Sequence, residues 1–185
     1  MMKVLAISGS LRDDSFNTKL LRAAAELAPP GVEVQLWNGL KAVPPFDEDD
    51  EGEQAPAPVV ELYDAIAGAD ALLFATPEYN SSIPGQLKNA IDWASRPKAT
   101  APIGNKPSAV IGASTGMFGG VWAQAELRKV LASAGARVVE GEVPVPVAHT
   151  RFDADGRLTD EEARERLAEV VASLVAVAER VPVAA

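Results

Sequence analysis

The sequence predicts an α/β fold in which a parallel sheet carries helices on both faces. Five apolar or alternating runs are separated by five helical patterns along the whole chain. Such strict alternation is typical of parallel sheets with right-handed crossovers. The chain has 185 residues, which is the length of one ordinary domain, and no repeat or linker divides it. We therefore expect a single domain over residues 1–185.

Each predicted element rests on a local pattern. Continuous apolar runs are typical of strands buried on both faces, and period-two alternation is typical of strands with one wetter face. These runs occupy residues 4–7, 32–37, 71–75, 108–113 and 137–147. Apolar side chains at helical spacing occupy residues 17–28, 59–67, 84–94, 120–134 and 163–178.

Boundary residues support these elements. Gly135 predicts a left-handed end for the fourth helix, and the spacing of Thr159 and Glu162 predicts a capping box at the start of the fifth. Pro144 and Pro146 either interrupt the last strand or place it at an edge, because proline cannot donate to a strand ladder.

Composition excludes several classes of function. Without any cysteine, the chain has no disulfide, thiolate zinc site, iron–sulfur cluster or thiol nucleophile. The single histidine, His149, excludes a multi-histidine metal site, and nothing near it in sequence suggests a catalytic partner. The acidic run 47–53 lacks the final glutamate of a calcium loop, so we interpret it as a solvated loop and expect no metal.

Charge and hydropathy also limit the partners. There are 17 basic and 26 acidic residues, a net charge of −9, which argues against nucleic acid and anionic membranes as partners. The apolar runs are too short for a secretory signal or a membrane span. We expect a cytoplasmic protein without membrane insertion, and the lack of cysteine agrees with a reducing compartment.

The polar turn after the first strand predicts an anion site, since amide groups and the helix dipole at a helix N-terminus attract anions. A dinucleotide-binding fingerprint needs three glycines, but this turn has only Gly9, and the Gly-Lys-Ser/Thr ending of a Walker phosphate loop is also absent. The turn therefore matches neither of these two phosphate-binding motifs. Short neutral donors with one cation suit a mononucleotide phosphate. The alternative is that a serine or asparagine here only caps the helix, and we expect Asp13 and Asp14 to face solvent. The candidate donors are Ser10, Arg12, Ser15, Asn17 and Thr18.

Two later turns complete a resemblance to a known family. Residues 77–80 read Pro-Glu-Tyr-Asn, residues 84–93 read Pro-Gly-Gln-Leu-Lys-Asn-Ala-Ile-Asp-Trp, and Ser-Thr-Gly at 114–116 precedes Gly-Gly at 119–120. Together with Gly-Ser-Leu-Arg-Asp-Asp-Ser-Phe-Asn at 9–17, these motifs resemble the NAD(P)H-dependent FMN reductases of the flavodoxin-like superfamily, which include bacterial quinone and chromate reductases. The resemblance spans about residues 3 to 139.

The resemblance implies a doubly wound five-stranded parallel sheet of flavodoxin type, in the order 2-1-3-4-5, that binds FMN non-covalently at the strand carboxyl ends. The first turn would hold the phosphate, the second would line the isoalloxazine, and the third would lie beside the ring. No catalytic side chain is expected, because the flavin carries the chemistry. The implied cofactor-binding residues are Ser10, Arg12, Ser15, Phe16, Asn17, Thr18, Pro77, Glu78, Tyr79, Asn80, Ser81, Ser114, Thr115, Gly116 and Gly119.

The implied function is transfer of a hydride from NADPH or NADH, through FMN, to a quinone or similar small acceptor. Two alternatives remain at this point. A flavodoxin-like electron carrier without its own nicotinamide reactivity is favoured by the acidity of the chain, and a flavin-free interaction module would keep only the fold. Arg12 and the open glycine-rich turn favour the reductase.

The resemblance also implies a homodimer or homotetramer. In the family, the helices that follow the second and third turns often build the oligomer interface, which makes Trp93 and Trp122 candidate anchors. The alternative is that both tryptophans cover the core of the monomer. Lys88 and Asp92, four residues apart on one helix, predict a surface ion pair.

Overall fold

The protein is described by a computed structural model that covers residues 1–180. The described residues form a parallel sheet with helices on both faces. The strands are β1 (Met2–Ser8), β2 (Val32–Trp37), β3 (Ala71–Ala75), β4 (Pro107–Ala113), β5 (Arg137–Val138) and β6 (Pro144–Val145). The helices are α1 (Phe16–Glu26), α2 (Ala57–Ala67), α3 (Gly85–Ala94), α4 (Val121–Ser133) and α5 (Glu161–Arg180).

The sheet has the order β2-β1-β3-β4-β5, and all its strand pairs are parallel. This confirms the predicted fold class and strand order. β3 lies at the centre, between β1 and β4, so the turns that follow these three strands are neighbours at one edge of the sheet. None of the described helices is both long and apolar enough to cross a membrane.

The last predicted strand, over residues 137–147, is interrupted, which is one of the two outcomes predicted from Pro144 and Pro146. Two short strands replace it, β5 and β6, and both pair with β4. The chain leaves the sheet between them and returns at Pro144, and proline is tolerated as the first residue of a strand. Gly141 adopts φ +130°, and a Cβ there would lie only 2.7 Å from the side chain of Val170 in α5. The excursion therefore packs closely on α5.

Each face of the sheet has its own hydrophobic core. Val4 and Ala6 of β1 point to the face covered by α1 and α5, whereas Leu5 and Ile7 point to the face covered by α2, α3 and α4. Side chains of successive strand residues alternate between faces. Burial on both sides explains why β1 reads as an uninterrupted apolar run.

The helix ends partly follow the sequence prediction. Gly135 has φ +96° and ends α4 in the left-handed conformation, as predicted. The predicted capping box at α5 is wrong. The Asp160 Oδ1 atom accepts a hydrogen bond from the Ala163 N–H at 2.9 Å, whereas Thr159 Oγ1 donates to the Arg151 carbonyl. Because the Thr159 hydroxyl is used by Arg151, the Asp160 carboxylate caps the helix, one residue later than expected.

Candidate active site

Three polar turns meet at the carboxyl edge of the sheet, as expected from the order of the strands. The first follows β1, the second follows β3 and the third follows β4. The Gly9 N–H donates to the Ala75 carbonyl at 2.8 Å, which joins the first turn to the end of β3. The Thr76 N–H donates to the Ile111 carbonyl at 3.0 Å, which joins the second turn to β4. Backbone hydrogen bonds thus hold the turns in fixed relation.

Ser15 begins α1 and is 3% exposed. Its hydroxyl oxygen accepts a hydrogen bond from the Thr18 N–H at 3.3 Å, so the helix-cap interpretation holds for this residue. A serine hydroxyl that accepts a bond still has its own proton to donate. Capping and anion binding are therefore compatible at Ser15.

Other polar side chains of the first turn bond to one another. The Thr18 hydroxyl donates to the Ser8 hydroxyl oxygen at 3.0 Å, and the Ser10 hydroxyl oxygen accepts from the Arg12 N–H at 3.4 Å. The Arg12 side chain is exposed and takes part in no ion pair among residues 1–180. The turn therefore keeps a cation and several hydroxyl groups available to a ligand.

Asn17 has a role that sequence reasoning missed. Its side chain is 3% exposed and reaches across to β4, where it forms two hydrogen bonds with the Ala113 backbone. The amide nitrogen donates to the carbonyl and the amide oxygen accepts from the N–H, both at 2.9 Å. The side chain thus positions the start of α1 against the end of β4, and the group that Asn17 offers to an anion is its backbone N–H.

Phe16 also points away from the turn. Its ring packs against Phe152, with the ring centroids 5.6 Å apart, and the Lys19 ammonium lies 5.1 Å from its centroid. As the first residue of α1, Phe16 offers its backbone N–H, which has no partner among residues 1–180.

The two acidic residues of the turn lie in solvent, as expected. Asp13 and Asp14 are both exposed. Asp14 forms an ion pair with Lys19 at 2.5 Å, and this hydrogen bond and charge lower the pKa of the Asp14 carboxyl. Neither carboxylate lies inside the turn, where it would oppose an anion.

The second turn presents an aromatic ring at its tip. The Tyr79 and Ser82 backbones exchange two hydrogen bonds of 3.0 and 3.1 Å, which close a tight turn. The two residues between them, Asn80 and Ser81, have φ values of 53° and 61°. A left-handed serine costs about 1 kcal/mol, so the surrounding contacts impose this shape. Tyr79 is 48% exposed, and the backbone groups of Asn80 and Ser81 beside it have no hydrogen-bond partner among residues 1–180.

The third turn requires glycine at its corner. Gly119 has φ +61°, and a Cβ there would lie 2.8 Å from backbone atoms of Pro144 and Val145. The Val147 N–H donates to the Gly116 carbonyl at 3.0 Å, so the segment after β6 supports the turn from behind.

Polar groups at the start of the third turn are partly used within it. The Ser114 hydroxyl oxygen accepts from the Gly116 N–H at 3.1 Å, and the Ser114 N–H donates to the Val145 carbonyl. Thr115 and Gly116 are exposed. The turn is therefore fixed in its backbone but open on its outer side.

Glu78 joins the second turn to the third. Its carboxylate oxygen Oε2 accepts hydrogen bonds from the Trp122 and Ala123 N–H groups, each at 3.2 Å. These are the amides of the second and third residues of α4, whose own N-cap position is Gly120, with no side chain to cap the helix. A carboxylate is favourable at this position because it meets the positive end of the helix dipole. Glu78 and Trp122 are 44 residues apart in the chain, so no local sequence pattern could indicate this contact.

The motif at residues 84–93 holds the loop that follows β2. Asn89 donates to the Pro44 carbonyl at 2.8 Å and accepts from the Phe46 N–H at 2.7 Å, and the Trp93 indole N–H donates to the Pro44 carbonyl at 2.9 Å. Trp93 is fully buried, so the alternative that it belongs to the monomer core is confirmed and its assignment as an interface anchor is wrong. The predicted ion pair of Lys88 with Asp92 is present at 2.7 Å.

Trp122 differs from Trp93 in its surroundings. It is 50% exposed and forms an edge-to-face pair with Phe118, with ring centroids 4.9 Å apart. Met117 beside them is 80% exposed. His149 is also exposed, in a short 3₁₀ segment outside the three turns.

Comparison with known proteins decides the family. The NADPH-dependent FMN reductase family matches residues 2–150, which is well over half of the chain. The chain belongs to this family. It is therefore an oxidoreductase that works with FMN and NAD(P)H, as the resemblance implied.

Individual members of the FMN reductase family align along nearly the whole chain. An NAD(P)H-dependent FMN reductase of Pseudomonas aeruginosa is 45% identical over 94% of this chain and 93% of its own length. A 2-hydroxy-1,4-benzoquinone reductase of a Burkholderia species is 39% identical over 90% of each chain. Among solved structures, the flavoenzyme FerB, an NAD(P)H:acceptor oxidoreductase from Paracoccus denitrificans, has a TM-score of 0.84 and 37% identity, with 97% of this chain and 98% of that chain covered.

The residues at the sheet edge fit the FMN that this family uses. The Ser15 hydroxyl and the backbone N–H groups of Phe16 and Asn17 form a donor set suited to a phosphate at the start of α1. The exposed Tyr79 ring and the free backbone groups beside it offer an apolar surface and a polar edge to a flat ring.

Proposed function

We propose that this protein transfers reducing equivalents from NAD(P)H to a quinone or similar small acceptor at the edge formed by the three turns. The observation that carries the proposal is that hydrogen bonds hold these turns together. The Gly9 N–H donates to the Ala75 carbonyl, and the Glu78 carboxylate accepts from N–H groups at the start of α4. Rigid placement of a cofactor and its substrates is what such an enzyme needs from its protein. The quinone reductase names of several relatives support the choice of acceptor.

The first turn binds the phosphate of FMN in this proposal. Ser15 donates its hydroxyl proton, and the start of α1 donates N–H groups. Arg12 supplies a positive charge, and the hydroxyl groups of Ser10 and Thr18 complete the donor set. Hydrogen bonds to a charged group contribute about 1.5–3 kcal/mol each, so a few of them account for firm non-covalent binding.

The second turn positions the ring. Pro77 limits the freedom of the chain that leads into the turn, and Tyr79 to Ser81 present backbone groups to the polar edge of the isoalloxazine. When bound, FMN supplies the two-electron chemistry between nicotinamide and acceptor. The Glu78 side chain contributes by position, because it ties this turn to the start of α4.

The third turn provides the open side on which nicotinamide and acceptor bind in succession. Thr115 and Gly116 are exposed there, and Ser114 and Gly119 keep the backbone in shape. The absence of large fixed side chains at 114–116 leaves room for a flat substrate. Hence one protein surface serves both half-reactions.

A single-electron carrier is the second candidate. Its support is the exposed acidic segment at 47–50, since carriers dock through charged surfaces. Anaerobic stopped-flow mixing of the FMN-loaded protein with NADPH separates the two functions. We expect rapid loss of the visible flavin absorbance and its return on addition of a benzoquinone. A flavin that stays oxidised under NADPH and NADH would refute the reductase.

The exposed aromatic pair supports a homodimer or homotetramer. Phe118, Trp122 and Met117 form an apolar patch beside the third turn, and such patches on a protein surface commonly mark interfaces. We propose that a second copy covers it, and that the enzyme works in the cytoplasm, where a cysteine-free chain is well suited to the reducing environment. Light scattering coupled to gel filtration tests the assembly: Trp122→Glu should yield monomers, and an unchanged mass would exclude this interface.

A further inference from the structure

A cavity of about 300 Å³ lies beside the first turn, at the carboxyl ends of β1 and β2. It shares Ser10, Arg12 and Thr18 with that turn, but Ser15, Phe16 and Asn17 do not line it. The N–H groups at the start of α1, where we place the FMN phosphate, are thus outside the cavity, while Ser10, Arg12 and Thr18 border both the cavity and the proposed phosphate site. No residue of the second or third turn lines it either. The cavity extends towards β2, away from the second and third turns, where we place the flavin ring.

Three positive charges surround this cavity. Arg12 comes from the first turn, Arg22 from α1 and Lys41 from the loop after β2. All three side chains are exposed, and none forms an ion pair within residues 1–180. One carboxylate, Asp13, also lines the cavity. In a protein with a net charge of −9, this local excess of positive charge attracts an anion that the rest of the surface repels.

The cavity also has an apolar wall. Trp37 and Leu40 line it, and Leu40 is buried. The Trp37 indole packs so closely on Gly39 that a Cβ at position 39 would overlap the ring. The backbone of Gly39 therefore fixes the position of the indole. An indole beside arginine side chains is a surface on which a purine base can stack. Cations and an aromatic wall together suit a phosphorylated nucleoside.

We propose that this cavity binds the 2′-phosphate of the adenosine half of NADPH, which makes Arg22 and Lys41 the residues that favour NADPH over NADH. The proposal rests on the proposed function and names its electron donor. A phosphate monoester carries close to two negative charges, and guanidinium groups bind it through paired hydrogen bonds. NADH lacks this group and gains nothing from the two cations.

The cavity is within reach of a nicotinamide placed at the third turn. β2 and β1 are adjacent, and β3 follows β1. Neighbouring strands lie about 4.8 Å apart, and the third turn follows β4, which is three strand spacings from β2, so the end of β2 is roughly 14 Å from the end of β4. A dinucleotide with its nicotinamide over the flavin can extend across this distance.

Direct binding tests the proposal on the FMN-loaded protein without turnover. The probes are adenosine 2′,5′-bisphosphate and adenosine 5′-monophosphate, measured by titration calorimetry. We expect the bisphosphate to bind at least tenfold more tightly to the wild type. The double variant Arg22→Gln with Lys41→Gln should lose roughly 10- to 100-fold in affinity for the bisphosphate and little for the monophosphate. Lys129→Gln, at an exposed position of α4, is the matched control for loss of a positive charge.

Steady-state kinetics give a second reading. The ratio of kcat/KM for NADPH to kcat/KM for NADH should fall by a similar factor in the double variant and stay unchanged in the Lys129 control. Equal affinity of the wild type for the two adenosine nucleotides would overturn the proposal. So would a double variant that binds FMN more weakly while its NADPH-to-NADH ratio is unchanged, because the two cations would then serve the flavin phosphate.

The two proposals fail in different ways. If the protein is not a nicotinamide-dependent reductase, neither NADPH nor NADH reduces its flavin, whatever the calorimetry shows. If only the cavity assignment is wrong, both nicotinamides reduce the flavin and the two adenosine nucleotides bind alike.

Discussion

The Asn17 side chain and the Ala113 backbone exchange two hydrogen bonds of 2.9 Å, which connect the start of α1 to the end of β4. Both partners are almost fully buried. The contact fixes the distance between the first turn and the third, which do not follow neighbouring strands. A cofactor that touches both turns therefore meets a site whose width is set by the fold.

Replacement of Asn17 by alanine should lower the free energy of unfolding by about 2–4 kcal/mol, because the buried Ala113 N–H and carbonyl lose their partners. Urea unfolding of the flavin-free protein measures the change. Asn38→Ala, at an exposed position, is the matched control and should stay near the wild type. A loss below about 0.5 kcal/mol for Asn17→Ala would mean that the contact does not hold the turns together.

Glu78→Ala should loosen the second turn from α4. We expect a loss of about 0.5–2 kcal/mol in unfolding free energy, since two helix N–H groups lose their acceptor. FMN affinity, followed by the quenching of flavin fluorescence, should fall as well. Glu78→Gln retains an acceptor without the charge and should lie between alanine and wild type. Glu61→Ala, exposed on α2, should leave both quantities unchanged; an equal effect of the two alanine variants would contradict the role given to Glu78.

Gly119→Ala should disrupt the third turn. The new Cβ would lie 2.8 Å from the backbone of Pro144 and Val145, in a residue with φ +61°. We expect a loss of about 1–3 kcal/mol in stability and weaker FMN binding. Gly85→Ala is the control, because a Cβ there meets nothing within 4 Å and alanine favours helix. Thermal melting compares them: a Gly119→Ala variant as stable as Gly85→Ala would show that the turn tolerates a side chain.

Asp14 should contribute to stability above its ordinary pKa of 3.8, since its ion pair with Lys19 lowers the pKa in the folded state. A group with a lowered folded pKa stabilises the protein at higher pH and loses this effect as the pH falls through that folded value. Asp14→Asn should therefore be less stable than wild type near neutral pH, and the two should converge in acid. Urea midpoints at several pH values measure this. Asp13→Asn, which removes an exposed carboxylate that forms no ion pair within residues 1–180, should run parallel to the wild type; a parallel Asp14→Asn curve would contradict the prediction.

Much of the fold could be predicted because its signals are local. A run such as Val4–Ile7 is apolar throughout only where both faces of a strand are buried, and Gly135 marks a helix end by its conformational freedom. The strand order came from the family resemblance. The capping of α5 could not be predicted from spacing alone, since Thr159 and Asp160 are both good caps and the tertiary contact of Thr159 with Arg151 decides between them.

The three turns at the sheet edge were predicted as segments, but the contacts between them were not. The sequence located the three turns, because each is a polar stretch between apolar elements. It did not show that the side chains of Asn17 and Glu78 serve the protein scaffold, because their partners lie 96 and 44 residues away. The cavity near Trp37 was missed for a similar reason: its cations come from separate elements and look like ordinary surface charges one at a time.

The division of the last strand into β5 and β6 affects how readily this edge of the sheet can pair with another molecule at high protein concentration. β5 and β6 each contribute two residues along β4, with an excursion between them and a proline at the start of the second. A strand from another molecule would find no continuous row of free amide and carbonyl groups there to pair with. The interruption therefore hinders edge-to-edge pairing with another molecule along this edge of the sheet, a protection that a regular final strand would have lacked.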